Sequence, residues 1–415
     1  MKLKSLLLLG STLMMGTAAS AGGYQVTLAG QKNNGMGGVG VGLSLDQAAM
    51  FYNPGALAMV RDRGVQLGVN ATLARNAFIA EGGSQQRVLR NSTVTPFNFY
   101  AGFGPTEGKF RAGIAVYTPF GSKLQYANGW EGRTSLTDIT LEAVYVQPTF
   151  SYAITDQLSI GAGLMILAYG SVNLQRDIPL PDSFGHIELD GKAENKIGFN
   201  AGVFFKPSDK LSLGISYRSK IDAQVKDGDV TFSNVSPSFT SRFEATKFSA
   251  TLPLPATTSI GIGVMPTEKL TIGLDVNFVE WSKYRTLDFT FDKQINGSLV
   301  SSSKRFYQDA LTLRLGGQYK VTSGLTVRAG AAYDQTPVKD GYVTPETPDN
   351  DRLSGTLGAS YAFGKFGVDV SAQYVSILKR TQTTQELLNS GTTDRIAGTY
   401  KTNIVIPGIG LNYNF

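Results

Sequence analysis

Val65-Gln66-Leu67-Gly68-Val69-Asn70-Ala71-Thr72-Leu73 carries the pattern that decides the fold: every second residue is apolar, and the residues between are small or polar. The same alternation returns in residues 158–166 and 270–278. Successive side chains of a β-strand point to opposite faces, so a period of two predicts strands with one apolar face. Taking all such runs from residue 64 to the C-terminus, we predict an all-β fold of 14 strands.

The connections between these strands alternate in length. Tight turns are predicted at 104–108, 155–156, 207–209, 266–268, 322–324 and 364–365, and long polar connections near 78–93, 119–139, 173–194, 221–248, 280–308, 335–352 and 377–400. An even strand number with short turns at one end and long loops at the other is typical of bacterial outer-membrane barrels. A soluble β-sandwich or propeller does not need this rhythm. We therefore predict an antiparallel transmembrane β-barrel.

Both ends of the chain fit export to the outer membrane. Residues 1–21 combine Lys2 and Lys4, a short apolar stretch and Ala19-Ser20-Ala21, which predicts a cleaved signal peptide. The apolar stretch is shorter than the ~20 residues of a spanning helix, which disfavours an uncleaved anchor. Residues 409–415 alternate and stop on Phe415, as in terminal strands that the barrel assembly machinery recognises. We expect that machinery, outer-membrane lipid and lipopolysaccharide as partners.

Residues 22–63 lack the alternation and resemble a loop followed by short helical pieces. A barrel of this strand number is too wide for its wall side chains alone to fill. We therefore predict that residues 22–63 form a plug, or hatch, inside a barrel of residues 64–415. Gly35–Gly40 matches the G-x-G-x-x-G spacing of dinucleotide sites, but the strand, helix and acidic residue that complete that motif are missing. A flexible glycine-rich segment is the preferred interpretation.

The composition excludes most catalytic chemistry. The chain has no Cys and 1 His, which rules out thiolate metal sites and multi-histidine cages, so we predict no cofactor and no metal. His186 is the sole imidazole, and no G-x-S-x-G motif supplies a nucleophile. A barrel lipase is thus a minor alternative, and we predict no enzymatic activity. The net charge of +6 is scattered without a basic run, so no nucleic-acid partner is predicted.

Ten short elements of the chain are characteristic when taken as an ordered set: Ala21–Val26, Asp46, Asn53–Gly55, Tyr217–Ser219, Leu252–Pro255, Val279–Ser282, Asp309–Ala310, Ala332–Val338 with its Asp334, Asp349–Arg352 and Tyr361–Phe363. In type and order they resemble the FadL-type outer-membrane transporters of long-chain fatty acids and aromatic hydrocarbons. The resemblance implies a 14-stranded barrel with an internal hatch. It also implies passive movement of hydrophobic compounds, which leave sideways through a kinked third strand.

The resemblance further implies substrate-binding residues. Tyr24 stands where the family has a Phe that reaches the ligand pocket, and Arg176 matches a basic residue that holds the substrate carboxylate. The family's second basic residue falls near Ser303, so Lys304 and Arg305 are its candidates.

The hatch residues implied are Asp46, Asn53, Pro54 and Gly55. Gly55 replaces an Ala of the family, which is expected to loosen the turn because glycine is conformationally permissive.

The kink of the third strand maps to Tyr117, Pro119, Phe120 and Gly121. Pro119 lacks a ladder donor and Gly121 permits a bend, so we expect the strand to end there and leave a lateral opening. An alkyl chain in a water-filled porin would have to be hydrated at ~0.8 kcal/mol per CH₂, whereas a wall opening returns it to lipid. A general porin or a structural barrel is the alternative function.

Overall fold

A computed structural model describes residues 23–60, 62–90, 93–105, 108–392 and 394–415. The predicted signal peptide, residues 1–21, lies outside the described residues. Within the described ranges the first strand pairs with the last, with Gly64 opposite Asn414 and Asn70 opposite Gly408. The sheet therefore closes on itself as an antiparallel barrel of 14 strands, which confirms the predicted fold class and strand number.

Several barrel strands are interrupted, so the sheet consists of 22 segments in the described residues. The segments of the first half are β1 (Gly64–Asn70), β2 (Thr72–Ala80), β3 (Gln86–Val88), β4 (Thr93–Val94), β5 (Phe97–Phe103), β6 (Phe110–Gln125), β7 (Asp138–Ala153), β8 (Leu158–Pro179), β9 (Phe184–Lys192), β10 (Lys196–Ser208) and β11 (Leu211–Arg218). Those of the second half are β12 (Ile221–Ser233), β13 (Lys247–Leu254), β14 (Thr257–Val264), β15 (Leu270–Val279), β16 (Thr286–Ile295), β17 (Ser298–Lys304), β18 (Ala310–Lys320), β19 (Leu325–Asp334), β20 (Arg352–Phe363), β21 (Phe366–Gln382) and β22 (Gly398–Asn414).

The long connections predicted as loops are in large part strands, which corrects the sequence interpretation. β8 continues to Pro179 and pairs with β9, and β12 and β16 likewise extend beyond the predicted strands. In these extensions the residues facing the lumen stay apolar and buried, as at Leu174 and Ile187. The residues facing outward are polar and bond across strands, so the overall composition resembles that of a loop.

Exposed aromatic side chains form two girdles on the outer wall. The lower girdle lies by the tight turns, where Phe103 stacks on Phe415 at 6.1 Å and Phe363 on Phe366 at 6.1 Å. The upper girdle lies further from the tight turns and comprises Tyr169, Phe199, Phe278 and Tyr374. Mostly exposed Leu, Ile and Val side chains lie between the girdles. Two aromatic girdles flanking an apolar band are typical of a barrel embedded in a bilayer.

The N-terminal segment, residues 23–60, packs against the lumenal side of the wall. It contains α1 (Gln31–Asn34), α2 (Ala49–Tyr52) and a 3-10 helix (Pro54–Met59), and most of its residues are buried. The 3-10 helix packs on β7, β8 and β10, whereas α1 packs on β20 to β22.

Three further short helices lie in the connections: the 3-10 helices Pro237–Arg242 and Trp281–Lys283, and α3 (Thr384–Ser390). No helix in the described ranges is long and apolar enough to cross a membrane.

Candidate functional site

An apolar cavity lies inside the barrel, on the side of the long connections. Its free volume, the space open to the centre of a water-sized sphere, is about 90 Å³. Its wall consists mainly of lumenal aliphatic and aromatic side chains: Ile139, Leu141, Leu167, Val172, Leu174, Val225, Leu252, Leu254, Leu287 and Phe289. Apolar walls of this kind are typical of binding sites for small hydrophobic molecules.

The charged groups that line this apolar cavity are acidic. Among the described lining residues only Glu142 and Glu346 carry a charge. Behind Glu346 lies Arg305, which is 3% exposed and donates to Glu346 Oε1 at 2.5 Å and to Thr344 Oγ1 at 2.9 Å. Because Arg305 is neutralised by Glu346, the cavity wall in this arrangement favours neutral apolar groups.

A second cavity, which we call the outer groove, lies further along β8 and has a free volume of about 420 Å³. It combines the aromatic rings of Phe239, Phe243 and Phe291 with the guanidinium groups of Arg176 and Arg242. Such a lining suits an amphipathic anion.

Arg176 connects the outer groove to the apolar cavity. It lies two residues from Leu174 on β8, so both side chains face the lumen, one lining each cavity. Arg176 forms no hydrogen bond or ion pair with the described residues, although Asp394 and Glu346 act on it electrostatically. Its guanidinium is therefore available to a ligand.

Lys304 and Arg305, the two candidates for the second basic residue, lie on opposite sides of the barrel wall because successive side chains alternate. Arg305 faces inward and is buried, whereas Lys304 is exposed and donates to the Gly391 carbonyl at 3.4 Å. The structure thus brings Arg176 and Arg305 to the outer end of the apolar cavity and leaves Lys304 outside it.

The third barrel strand, β6, is irregular at the residues to which the sequence analysis assigns a kink. The pairing of β6 with β7 shifts register between Tyr117 and Phe120, as in a β-bulge, but β6 continues to Gln125. The expectation that Pro119 and Gly121 end this strand is therefore wrong, because pairing with β7 resumes at Phe120. On the other edge, pairing with β5 does stop, at Asn98 and Tyr117.

Residues 24–26 occupy the edge that β5 leaves free. Val26 N donates to the Pro119 carbonyl at 2.8 Å, and Gly121 N donates to the Tyr24 carbonyl at 3.2 Å. Gln25 lies opposite Phe120 as an antiparallel bridge. The N-terminal segment thus pairs with the wall directly at the kink.

Tyr24 and Phe120 also line the apolar cavity, and their rings lie 6.0 Å apart. The Tyr24 hydroxyl donates to the Pro253 carbonyl at 2.6 Å, and its ring meets the edge of Trp281 at 4.9 Å.

Gly23, the first described residue, is held by an ion pair. Its N–H donates to Asp349 Oδ2 at 2.9 Å, and its carbonyl accepts from Arg352 at 2.6 Å. Arg352 and Asp349 themselves pair at 2.7 Å. We call residues 23–26 the leading end.

Asn53 fixes the middle of the N-terminal segment. Its amide donates to the carbonyls of Val41 at 2.9 Å and Val203 at 3.0 Å, and its Oδ1 accepts from Gly55 N at 3.0 Å. Asn53 is fully buried, and Pro54 begins the 3-10 helix, where a missing N–H is harmless.

Gly55 has a packing role in addition to the expected loosening of the turn, which stays a prediction. A Cβ at this position would lie 2.7 Å from the Gly202 carbonyl oxygen, so glycine is needed for close approach to β10.

Glycines on the wall receive the N-terminal segment in the same way. A Cβ on Gly316 would lie 1.9 Å from the Met36 carbonyl oxygen, and one on Gly214 would lie 1.9 Å from that of Val41. The Gly35–Gly40 motif is buried in this contact, so the expectation of a flexible segment is wrong. We call residues 35–55 the seated part.

Acidic and basic side chains anchor the seated part. Asp275 accepts from Gly40 N at 2.7 Å and from Val41 N at 2.9 Å. Arg314 donates to the Gly37 carbonyl at 3.1 Å and pairs with Asp334 at 3.0 Å. The family-matched Asp334 therefore binds the arginine that contacts the seated part.

Asp46, in the same part, accepts from Ala48 N at 3.0 Å and pairs with Lys32 at 3.4 Å. It thereby supports the start of α2.

Sequence reasoning missed the wall residues that hold α2. Gln147 and Asn200 both donate to the Met50 carbonyl, at 2.7 and 3.0 Å, and Arg218 donates to that of Phe51 at 2.9 Å. A polar side chain at a lumenal position of a predicted strand is the sequence signal that could have indicated these contacts.

His186 lies on the face of β9 opposite the buried Ile187. Its ring nitrogens contact Asp177 at 3.0 Å and Gln175 at 3.4 Å, and neither partner is a hydroxyl nucleophile. The described residues contain no group of His, Cys, Asp and Glu suited to a metal ion.

Residues 12–415 match the family model described as outer membrane protein transport protein (OMPP1/FadL/TodX). The chain belongs to this family. It is 25% identical to the 47 kDa outer membrane protein of Pasteurella multocida, over 100% of this chain and 99% of the relative. It is 22% identical to a long-chain fatty acid transport protein of Escherichia coli, with 87% and 88% covered.

Solved structures of the OMPP1/FadL/TodX type share the fold. A Pseudomonas aeruginosa FadL homologue matches with a TM-score of 0.83 and 23% identity, over 95% of this chain and 100% of that one. The Pseudomonas putida toluene transporter TodX matches with a TM-score of 0.71 and 16% identity, over 96% and 99%.

Membership of the OMPP1/FadL/TodX family confirms the predicted family, location and class. The protein is an outer-membrane transport protein, and the family is made up of channels rather than enzymes. The barrel-lipase alternative thereby loses its support.

Proposed function

We propose that the protein moves long-chain fatty acids or similar amphipathic compounds across the outer membrane by facilitated diffusion. The outer groove captures the substrate, the apolar cavity receives its chain, and the kink in β6 releases it sideways. The names of related proteins support this class, since the Escherichia coli relative is a long-chain fatty acid transport protein and TodX is a toluene transporter.

The lateral exit is supported by one observation: the same short segment, the leading end, contacts both the apolar cavity and the free edge of β6. The leading end contributes Tyr24 to the cavity lining, and the same residues bond the free edge of β6 at Pro119 and Gly121. A displacement of the leading end would therefore open the cavity floor and unpair the wall edge together. Unpaired backbone is tolerated at membrane depth where it lines a cavity.

The energetics favour a sideways route over an axial one. Hydrating an alkyl chain of about 15 methylenes costs roughly 12 kcal/mol, at ~0.8 kcal/mol each. A chain that leaves through the wall passes from an apolar cavity to lipid and avoids most of this cost.

The headgroup assignment rests on Arg176. A guanidinium binds a carboxylate through two parallel hydrogen bonds, and Arg176 has no such bond in the described structure. A carboxylate there places its alkyl chain beside Leu174 and into the apolar cavity. A neutral aromatic hydrocarbon would use the cavity alone.

Residues 22–63 act in this proposal as the hatch, and residues 64–415 as the barrel. The seated part blocks the axial route, and the leading end is the moving element.

The test is uptake of labelled oleate, with single-channel conductance measured in parallel, for Gly121→Arg. The Cβ position of Gly121 has only the Leu141 carbonyl oxygen nearby, at 3.3 Å, so the variant should assemble. We expect it to bind oleate and to lose most transport, because a long cation occupies the exit.

Gly355→Arg is the matched control. Gly355 is exposed on β20, and a Cβ there meets nothing within 4 Å. The control places the same charge on the outer wall away from the kink and should transport normally. Normal uptake by an assembled Gly121→Arg barrel, or steady conductance with sugar uptake in the natural protein, would favour a general porin.

A further inference from the structure

Four basic side chains lie together on the outer wall where β2, β21 and β22 meet. Arg75, Arg90, Lys379 and Lys401 are all exposed, and we call them the basic patch. Arg75 lies opposite Asn403, and Lys401 lies opposite Ala77 on the same pair of strands. Arg75 and Lys401 are therefore diagonal neighbours on one face, within reach of each other's long side chains.

Arg90 and Lys379 extend the patch on either side. Val88 lies opposite Ala77, and Leu89 N donates to the Asn76 carbonyl at 3.0 Å. The antiparallel pairing of these two segments therefore continues by one residue more, which places Arg90 beside Arg75. Lys379 lies in the register shift of β21 between Ile377 and Arg380.

The cations of the basic patch lack acidic partners. The side chains of Arg75, Lys379 and Lys401 form no ion pair or hydrogen bond with the described residues, and Arg90 contacts only Asn128 Oδ1, at 3.5 Å. The neighbouring outward residues on β21 and β22 are neutral: Ser376, Thr381, Thr399 and Asn403. Like charges side by side on a sheet destabilise it unless an anion joins them.

Some other outer cations of this barrel are paired with carboxylates. Lys226 lies 2.6 Å from Glu194, and Lys247 lies 2.6 Å from Asp229. The four cations of the basic patch differ from these two lysines in having no carboxylate beside them in the described part of the chain.

The basic patch begins where the apolar wall ends. Leu73, Val405 and Tyr374 lie in one row across β2, β22 and β21, are each about half exposed, and include a residue of the upper girdle. Arg75 is two residues beyond Leu73, and Lys401 is four residues beyond Val405. At about 3.4 Å per residue the cations lie roughly 7 and 14 Å further along the strands, at the level of lipid headgroups.

We propose that the basic patch binds the phosphate groups of lipopolysaccharide in the outer leaflet. Guanidinium groups bind phosphate oxygens through paired hydrogen bonds, and ammonium groups add point charges. The row of Leu73, Val405 and Tyr374 below offers apolar contact to the acyl chains of the same molecule. This combination selects a phosphorylated lipid over free phosphate, and it is independent of what the lumen transports.

The test measures lipopolysaccharide binding to the full-length barrel in detergent, by native mass spectrometry, for Arg75→Gln/Lys401→Gln. Each surface cation contributes about 1 kcal/mol of attraction to anionic lipid, or about five-fold, so we expect roughly 25-fold weaker binding. Lys210→Gln/Lys269→Gln is the control: both lysines are exposed at the tight turns, and the loss of charge is the same. The control should bind as the natural protein does.

Two further binding measurements, with dephosphorylated lipopolysaccharide and with inorganic phosphate, identify which chemical group is bound. Lipopolysaccharide stripped of phosphate should bind the natural protein as weakly as intact lipopolysaccharide binds the double variant. Inorganic phosphate at matched concentration should not compete. Equal losses in both double variants, full binding of the stripped lipid, or competition by inorganic phosphate would each overturn the proposal. Heat-modifiable mobility on gels verifies that each variant is assembled.

Discussion

The seated part and the leading end of the N-terminal segment meet the same barrel wall in different ways. The seated part lies backbone against backbone, because wall glycines such as Gly214 and Gly316 leave no space for a side chain between them. The leading end lies at a free strand edge and is held by individual hydrogen bonds to Pro119, Gly121 and Pro253. Close packing resists displacement, whereas single bonds break and re-form, so the contrast separates a fixed anchor from a movable end.

Burial and charge strengthen this contrast. The seated part bonds to Asp275, which is 1% exposed, and a buried carboxylate left without its donors would be costly. The charged contact of the leading end is the ion pair of Arg352 with Asp349, and these two side chains bond to each other as well as to Gly23. We therefore expect the leading end to open while the seated part stays in place.

The largest effect is expected from a side chain placed into the seat. Gly316→Val should displace Met36, because overpacking at backbone contacts costs about 1–3 kcal/mol or more. The expected result is a barrel that assembles but conducts ions and small sugars, measured in planar bilayers.

Gly317→Val is the internal control for this experiment. It is the next residue on β18, and a Cβ there has an ordinary contact of 3.4 Å to the Thr271 carbonyl oxygen. If both variants conduct equally, the close packing of the seat has no role in blocking the lumen.

Asn53→Ala with Pro54→Ala should weaken the seat less severely. The change leaves the buried carbonyl of Val41 and the part-buried carbonyl of Val203 without the Asn53 donor, and an unsatisfied buried group costs about 1–3 kcal/mol. Hydrogen exchange in residues 37–42 should rise by at least ten-fold, and oleate uptake should fall while the barrel stays assembled. Unchanged uptake would reduce the segment to a passive filler.

Arg176→Ala tests the difference between the two cavities. Losing a charged hydrogen-bond donor costs about 1.5–3 kcal/mol, so oleate binding should weaken by roughly 10- to 100-fold. Toluene, which has no carboxylate, should bind as before. Lys304→Ala is the matched control because Lys304 is exposed outside the cavity. Equal losses for oleate and toluene would mean that Arg176 only supports the fold.

The smallest effect concerns the leading end alone. Tyr24→Phe removes the hydrogen bond to the Pro253 carbonyl and keeps the ring in the cavity wall. One hydrogen bond contributes about 1 kcal/mol, so exchange of the residue 24–26 amides should rise about five-fold. Exchange at residues 37–42 should not change, and a parallel rise there would show that the two parts move together.

The sequence predicted the features that depend on local periodicity. Alternation in stretches such as Val65–Leu73 predicted the strands, and the aromatic end at Phe415 fitted the barrel. Above the membrane both the loops and the outward strand faces are polar, so the sequence pattern predicts loops where the extensions of β8 and β12 lie.

Contacts between distant residues were beyond the sequence. Nothing near Arg305 indicates its ion pair with Glu346, and nothing near Gly55 indicates the carbonyl of Gly202 against which it packs. The pairing of residues 24–26 with β6 likewise depends on the closed barrel, because it exists only where β5 leaves an edge free.

An engineered disulfide between Gln25→Cys and Phe120→Cys tests the central claim most directly. The two residues lie opposite each other in an antiparallel bridge, at a separation that disulfides accept, and the chain has no native Cys to interfere. The oxidised protein should be assembled, should bind oleate and should not transport it, and reduction should restore transport to the level of the single variants. Equal oleate uptake by the oxidised and reduced forms would contradict a moving leading end and a lateral exit at the kink.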